Sequence, residues 1–201
     1  RQIRIEHVRV IRLVCTTRRL LVKISGGEVI LINSQVEGNS TAGPDATGGG
    51  IDAFSVKLVA STVCDNSTAG DLAPGGGIHG QYVNAVNSTI SGNSTAGNGE
   101  IIFTTIYSSA GGGGIYGDSV VLVSSTVTGN STGGYYAGGG GIATSSTSLP
   151  RLSISNSIVA GNTTSEGSNP DIAGSIDSNG LNVFGSEVAG SLASDRENVA
   201  P

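Results

Sequence analysis

The amino-acid sequence predicts an all-β fold, a single-stranded right-handed parallel β-helix (solenoid) of about five to six coils. Three observations predict it. The first is composition: glycine supplies 33 of 201 residues, about twice its usual ~7% share. Met and Trp are absent and only 12% of residues are charged. Ser, Thr, Asn, Val, Ile and Gly dominate, the vocabulary of short strands and tight turns. The second is an internal repeat of 27 residues, carried by two tetrapeptides. The third is a period-2 alternation of apolar residues inside each unit. Gly/Ser/Asn-rich composition also describes disordered chains, and the regular spacing of Val and Ile argues against that.

The repeat is read from its two signatures. Gly-Gly-Gly-Ile stands at Gly48–Ile51, Gly75–Ile78, Gly112–Ile115 and Gly139–Ile142. An apolar residue, two others and Asn stand at Val36–Asn39, Val63–Asn66, Ile90–Asn93, Val127–Asn130 and Val159–Asn162. The asparagines are 27, 27, 37 and 32 residues apart, and the isoleucines 27, 37 and 27. One 27-residue unit explains each interval if two insertions lie around Glu100–Ala110 and Ser145–Arg151. In a solenoid such insertions bulge outward, because the coils stay stacked.

Within the units, Val29, Leu31 and Val36 correspond to Val56, Leu58 and Val63, to Val120, Leu122 and Val127, and to Leu152, Ile154 and Val159. These short patches predict strands, and the isoleucine after each glycine run is expected to open a second one. Stacked coils place equivalent residues roughly 4.8 Å apart. Ile51, Ile78, Ile115 and Ile142 are therefore expected to form an inward aliphatic ladder. Asn39, Asn66, Asn93, Asn130 and Asn162 are expected at a sharp turn, in the left-handed conformation Asn tolerates, with amides bonded along the stack. The glycine runs are expected to make a bend that side chains obstruct.

Two regions follow: a basic segment 1–24 and a repeat domain 25–201. Seven of the ten basic residues lie in the first 23 positions against Glu6, a net +6. The rest carries three basic and 14 acidic residues, a net −11. An acidic body repels nucleic acid, which excludes DNA or RNA as its expected partner. Ile3-Arg4-Ile5 and Val8-Arg9-Val10 alternate like a strand with an arginine-rich face. A cap or atypical first coil is the expected role of this segment, and a basic membrane-surface or nucleic-acid arm is the alternative. Cys15 and Cys64 give neither a metal spacing nor a disulfide framework. One disulfide or two free thiols both fit. No run of about 20 apolar residues is present, so no membrane-spanning helix is expected. The chain also reads as a fragment or processed product whose targeting signal lies elsewhere.

These tetrapeptides resemble those of right-handed parallel β-helix repeat proteins. They are similar to the repeats of polymorphic outer membrane proteins and adhesins, which pair a Gly-Gly-Ala-Ile-like tetrapeptide with Phe-x-x-Asn. Val or Ile stands here where that family has Phe. The closing stretch, Asn169-Pro-Asp-Ile-Ala-Gly and then Asn179-Gly-Leu-Asn-Val-Phe-Gly185, is similar to the last coil of many bacterial extracellular β-helix proteins. The resemblance covers residues 25 to 185. It implies a secreted or cell-surface bacterial protein, adhesin-like or autotransporter-passenger-like, monomeric, with glycans or host-surface molecules as partners. It also implies the alternative of a lyase or hydrolase acting on acidic polysaccharide.

Residues for such chemistry are sparse. Arg151 and Arg196 are the only arginines of the repeat domain, and no Asp-Asp pair occurs. Gly77-Ile78-His79-Gly80 is a Gly-His-Gly pattern interrupted by Ile78. The repeat alignment gives one constellation. The position after each ladder isoleucine should point outward and holds Asp52, His79, Tyr116 and Ala143. Two places on, the same face holds Phe54, Gln81, Asp118 and Ser145. Asp52, His79, Tyr116 and Asp118 are thus the candidate site, able to bind sugar or carry a proton. The competing reading is that outward positions of a solenoid vary freely.

No metal ligand set is expected. Ca²⁺ is a lesser alternative, through Asp45, Asp65, Asp71 and Asp171 near turns, none in the spacing of a known calcium loop. An ice-binding stripe is disfavoured because no regular Thr-x-Thr rank repeats. Asn-Ser-Thr at Asn39, Asn66, Asn87, Asn93 and Asn130, and Asn162-Thr-Thr, also read as glycosylation acceptors. A non-enzymatic extracellular scaffold is the expected function.

Overall fold

The computed structural model describes residues 11–14, 19–20, 24–102, 105–107, 111–135, 137–144, 152–165 and 170–199. For 11–14, 19–20, 100–102 and 105–107 the description is of backbone pairing alone. No helix occurs among the described residues, and three parallel sheets run the length of the solenoid. The chain is an all-β parallel β-helix.

Each coil visits the three sheets in turn. Ile51–Val59 lies in the first, Thr62–Cys64 in the second and Ser67–Thr68 in the third. The next coil repeats this with Ile78–Val86, Thr89–Ser91 and Ser94–Thr95. Register follows the sequence repeat: Ile24 pairs with Ile51, Ile51 with Ile78, Ile78 with Ile115, Ile115 with Ile142 and Ile142 with Ile172. Upstream, Ile11–Val14 pairs with Val29–Ile32 and Arg19–Leu20 with Gln35–Val36. The sheets therefore continue into the basic segment. Ile3-Arg4-Ile5 and Val8-Arg9-Val10 lie outside the described residues.

One expectation about strands is corrected. In the coils without an insertion at this place the isoleucine does not open a strand of its own, since Ile51, Val56 and Leu58 share the single nine-residue strand Ile51–Val59; Ile142 does open a separate strand, Ile142–Thr144. The alternation slips once within it. Ile51 and Ala53 are buried, Phe54 and Ser55 both face away from the core, and Val56 and Leu58 are buried again. The pairing register omits Phe54–Gln81 and Gln81–Asp118 at this slip, while the residues on either side stay paired. This is a bulge-like bend. The insertion around Ser145–Arg151 leaves the coil at the same place: Ile115–Gly117 pairs with Ile142–Thr144, and Val120–Val123 with Leu152–Ser155. The other insertion contains an antiparallel hairpin, Glu100–Ile102 against Thr105–Tyr107.

The core consists of stacked columns. Ile51, Ile78, Ile115 and Ile142 are wholly buried, as the aliphatic ladder requires. Beside them stack Val29, Val56, Val83, Val120 and Leu152, and on the second sheet Val36, Val63, Ile90, Val127, Val159 and Phe184. Each such side chain contributes about 1.5–3 kcal/mol on burial.

The asparagine column is also buried, and its amides pass hydrogen bonds in one direction. Asn66 donates from its backbone N and Nδ2 to Asn93 Oδ1 at 3.0 and 3.0 Å, and its Nδ2 also donates to Cys64 O at 2.9 Å. The chain runs from Asn39 through Asn66, Asn93 and Asn130 to Asn162, which donates to Asp171 Oδ1 at 3.1 and 2.9 Å. The left-handed residue is not the asparagine but the one before it: Gly38, Asp65, Gly92, Gly129 and Gly161 have φ between 55° and 72°. The asparagine keeps ordinary backbone geometry because its side chain is committed to the ladder. Burial also removes Asn39, Asn66, Asn93, Asn130 and Asn162 as glycosylation acceptors in the folded chain, whereas Asn87 is exposed.

Two further features complete the scaffold. The glycine runs do more than bend the chain. A Cβ on Gly77 would lie 2.8 Å from Asn93 Cγ and 2.7 Å from Gly114 O, so the third glycine of each run makes room for the asparagine ladder. A second polar ladder links Ser34, Ser61, Ser88, Ser125 and Ser157, each backbone N–H donating to the next hydroxyl at 3.1–3.2 Å. It ends on Asn182, whose backbone N donates to Asp195 Oδ1 at 2.9 Å.

Candidate functional site

The bend in the first sheet positions the candidate residues. At the first outward place after each ladder isoleucine, Asp52 pairs with His79 and His79 with Tyr116. The stacking that buries the isoleucines thereby aligns these three side chains on the outside. His79 Nδ1 and Asp52 Oδ1 are hydrogen-bonded at 2.9 Å, with both side chains 31% exposed. The His79 ring stacks on the Tyr116 ring, centroids 5.7 Å apart and planes 15° from parallel. Partial burial pushes the Tyr116 phenol above its ordinary pKa, and Asp118 adds to the push. The phenol therefore stays protonated at neutral pH and offers an O–H.

The row ends there. Ala143, its next member, is fully buried rather than outward. Of the second outward set, Phe54 and Gln81 are exposed and Asp118 is half-buried, while Ser145 lies outside the described residues.

The slip in alternation adds residues that the pattern alone does not place. Because two successive residues face out, Ser55, Tyr82 and Ser119 join the outer face beside Phe54, Gln81 and Asp118. Phe54 and Tyr82 are 58% and 49% exposed and meet edge to face, centroids 5.3 Å apart. A shallow groove crosses the strands next to them, lined by Glu28, Ser55, Lys57, Tyr82, Asn84 and Ser119. The signal that finds these residues is the run of two non-core positions between Ala53 and Val56, repeated as Gln81-Tyr82 and Asp118-Ser119.

Chemically the strip offers a carboxyl-anchored imidazole, a phenol, two exposed aromatic faces and both signs of charge. Such a set hydrogen-bonds hydroxyl groups and packs against the C–H faces of sugar rings.

The aspartates considered for Ca²⁺ are scattered. Asp171 is buried at the end of the asparagine ladder. Asp71 Oδ1 accepts from Asn98 N and Nδ2 at 2.8 and 3.1 Å. Asp45 is exposed in a left-handed turn. Asp65 has different neighbours: among the described residues, one group of three or more His, Cys, Asp or Glu side chains converges within metal-ligand reach, and it is Glu37, Cys64 and Asp65. Cys64 is a free thiol, and Cys15 lies outside the described residues. Burial pushes the Cys64 thiol up; a contact from Gln35 opposes this, and the charges of Asp65 and Glu37 add to it.

The fold is that of a parallel β-helix built from repeated coils, and one sheet carries the polar-aromatic strip as its candidate site. No protein-family model matches the chain, and no curated protein or solved structure matches it. No helix among the described residues is long and apolar enough to cross a membrane.

Proposed function

We propose that this chain is an extracellular or cell-surface bacterial scaffold, adhesin-like, that binds a glycan across the outer face of its first sheet. The observation that carries the proposal is the contiguity of Asp52, His79 and Tyr116 with the exposed Phe54–Tyr82 pair. Two supports bear on binding rather than cleavage. Glycoside hydrolysis needs two carboxyl groups about 5–9.5 Å apart. The strip's two aspartates, Asp52 and Asp118, are two coils and two residues apart, which puts their Cα atoms roughly 12 Å apart by strand geometry. A rigid sheet also holds aromatic faces in place at low entropic cost.

One observation favours a second reading, a polysaccharide-cleaving enzyme: the Asp52–His79 pair has the arrangement of an oriented general base. A single experiment addresses both. Folded protein is tested by affinity electrophoresis and product release on a panel of acidic and neutral polysaccharides, with and without Ca²⁺. Retardation that weakens at least about tenfold in Phe54→Ala and Tyr82→Ala is the expected result. Product release abolished by His79→Ala replaces binding with catalysis. Neither retardation nor release on any substrate removes the glycan as ligand.

A further inference from the structure

The second sheet carries a different site. Its outward positions follow a rule set by the repeat. The place after the core residue holds Ser91 and Thr128 in the third and fourth coils and a buried Ala160 in the fifth, and the left-handed place that follows holds Gly92, Gly129 and Gly161. The first two coils break this rule side by side. Glu37 and Cys64 occupy the first of these columns in adjacent, paired strands, and Asp65 stands where the other four coils have glycine. Gln35 takes a place held by threonine in the next three coils. The solenoid does not require these residues, since it is built without them elsewhere.

The departures converge on one point. The ligand atoms of Glu37, Cys64 and Asp65 all lie within 4.8 Å of one another. The Gln35 amide sits between two of them, its Nε2 2.7 Å from Glu37 Oε2 and 3.6 Å from Cys64 Sγ. Turning that amide by half a rotation presents its carbonyl oxygen instead. The set then comprises one sulfur and three oxygens, with Gln35, Glu37 and Cys64 half-buried and Asp65 exposed.

We propose that Cys64, Glu37 and Asp65, with Gln35 as fourth donor, bind one divalent cation of the zinc class. Thiolate is a soft ligand that selects zinc over calcium or magnesium, and four donors suit a tetrahedral ion but not calcium. A tetrahedral zinc site holds sulfur and oxygen donors roughly 3.6 Å apart. Side-chain rotation closes the difference from the present spacing. On binding, the Sγ–H bond of Cys64 breaks, an Sγ–metal bond forms and the proton leaves to solvent, with no change of oxidation state. The site is independent of the glycan strip on the first sheet.

The test is titration of the full reduced chain with Co²⁺, followed by absorption, alongside Cys64→Ser. Both chains keep Cys15, so their difference isolates Cys64. The expected result is a near-ultraviolet sulfur-to-cobalt band and visible tetrahedral bands saturating at one equivalent. Cys64→Ser removes the former. Asp65→Gly installs the residue the other coils use, which preserves the turn, and weakens binding at least about tenfold. No saturable band at micromolar cobalt, or a sulfur band that persists in Cys64→Ser, overturns the proposal. Unchanged affinity in Asp65→Gly overturns the ligand set.

Discussion

The inner and outer columns of this solenoid obey different rules although they alternate along the same strands. Inside, Asn66, Asn93, Asn130 and Asn162 repeat without variation, as do Ile51, Ile78, Ile115 and Ile142. Outside, the matching places hold Asp52, His79 and Tyr116 on one sheet, and Glu37, Cys64 and Ser91 on another. The inner residues are fixed by what the coils above and below need. Each asparagine must both accept from one neighbour and donate to the next, and no other side chain of that size does both with the same geometry. The outer residues face no such demand. Both proposed sites lie where the outer columns depart from uniformity.

Substitutions sharpen the contrast. The largest effect is expected inside. Asn93→Ala strands the backbone N–H of Asn66, takes one of three acceptors from Asn66 Nδ2, and removes the Nδ2 donor from Asn130 Oδ1 and Val63 O. Several buried polar groups losing partners at about 1–3 kcal/mol each should cost about 3–5 kcal/mol. A fall in urea midpoint at unchanged slope measures it; a loss below about 1 kcal/mol would show that the ladder follows the fold rather than holding it.

An intermediate effect is expected at the end of the solenoid. Partial burial raises the Asp195 carboxyl, but the Leu192 amide, the Ser178 hydroxyl and Asn182 outweigh it and hold the pKa below 3.8. A group depressed in the folded state gives stability that is full above its unfolded pKa and disappears as pH falls through the folded one. Asp195→Asn should therefore lower thermal stability at neutral pH, by on the order of 1 kcal/mol. The gap from the parent should close as pH falls through the depressed pKa of Asp195. A gap independent of pH would deny the carboxyl this role.

The smallest effect is expected outside. His79→Ala should change stability by less than about 1 kcal/mol, because a half-exposed pair with Asp52 contributes little. A larger loss would make the row structural and weaken its reading as a site.

Much of the fold was legible because its determinants recur at constant intervals. The isoleucine and asparagine columns show in the sequence, and so do both insertions. The serine ladder was equally periodic, with Ser34, Ser61, Ser88, Ser125 and Ser157 each five residues before a ladder asparagine. A hydropathy pattern does not pick it out, because a hydroxyl gives no contrast with its polar neighbours. The left-handed position was misplaced by one residue, since Asn carries that propensity wherever its side chain is free to turn back on its own backbone. In the site, Asp52, His79 and Tyr116 followed from register alone. Tyr82 and the groove did not, because a one-residue slip in a strand exchanges inside for outside. The Glu37–Cys64–Asp65 cluster joins residues of adjacent coils that are distant in sequence, and no local spacing reveals it.

Asp171 gives the asparagine ladder its grammar. Asn66, Asn93, Asn130 and Asn162 each receive and pass on, so an uninterrupted row of amides has no reason to stop at any particular coil. An aspartate side chain receives but carries no amide N–H to hand forward. Its placement after Asn162 acts as a full stop for the amide relay, set by the sense of one hydrogen bond, while the sheets themselves carry on for a further turn through Ile172, Ile176 and Val183.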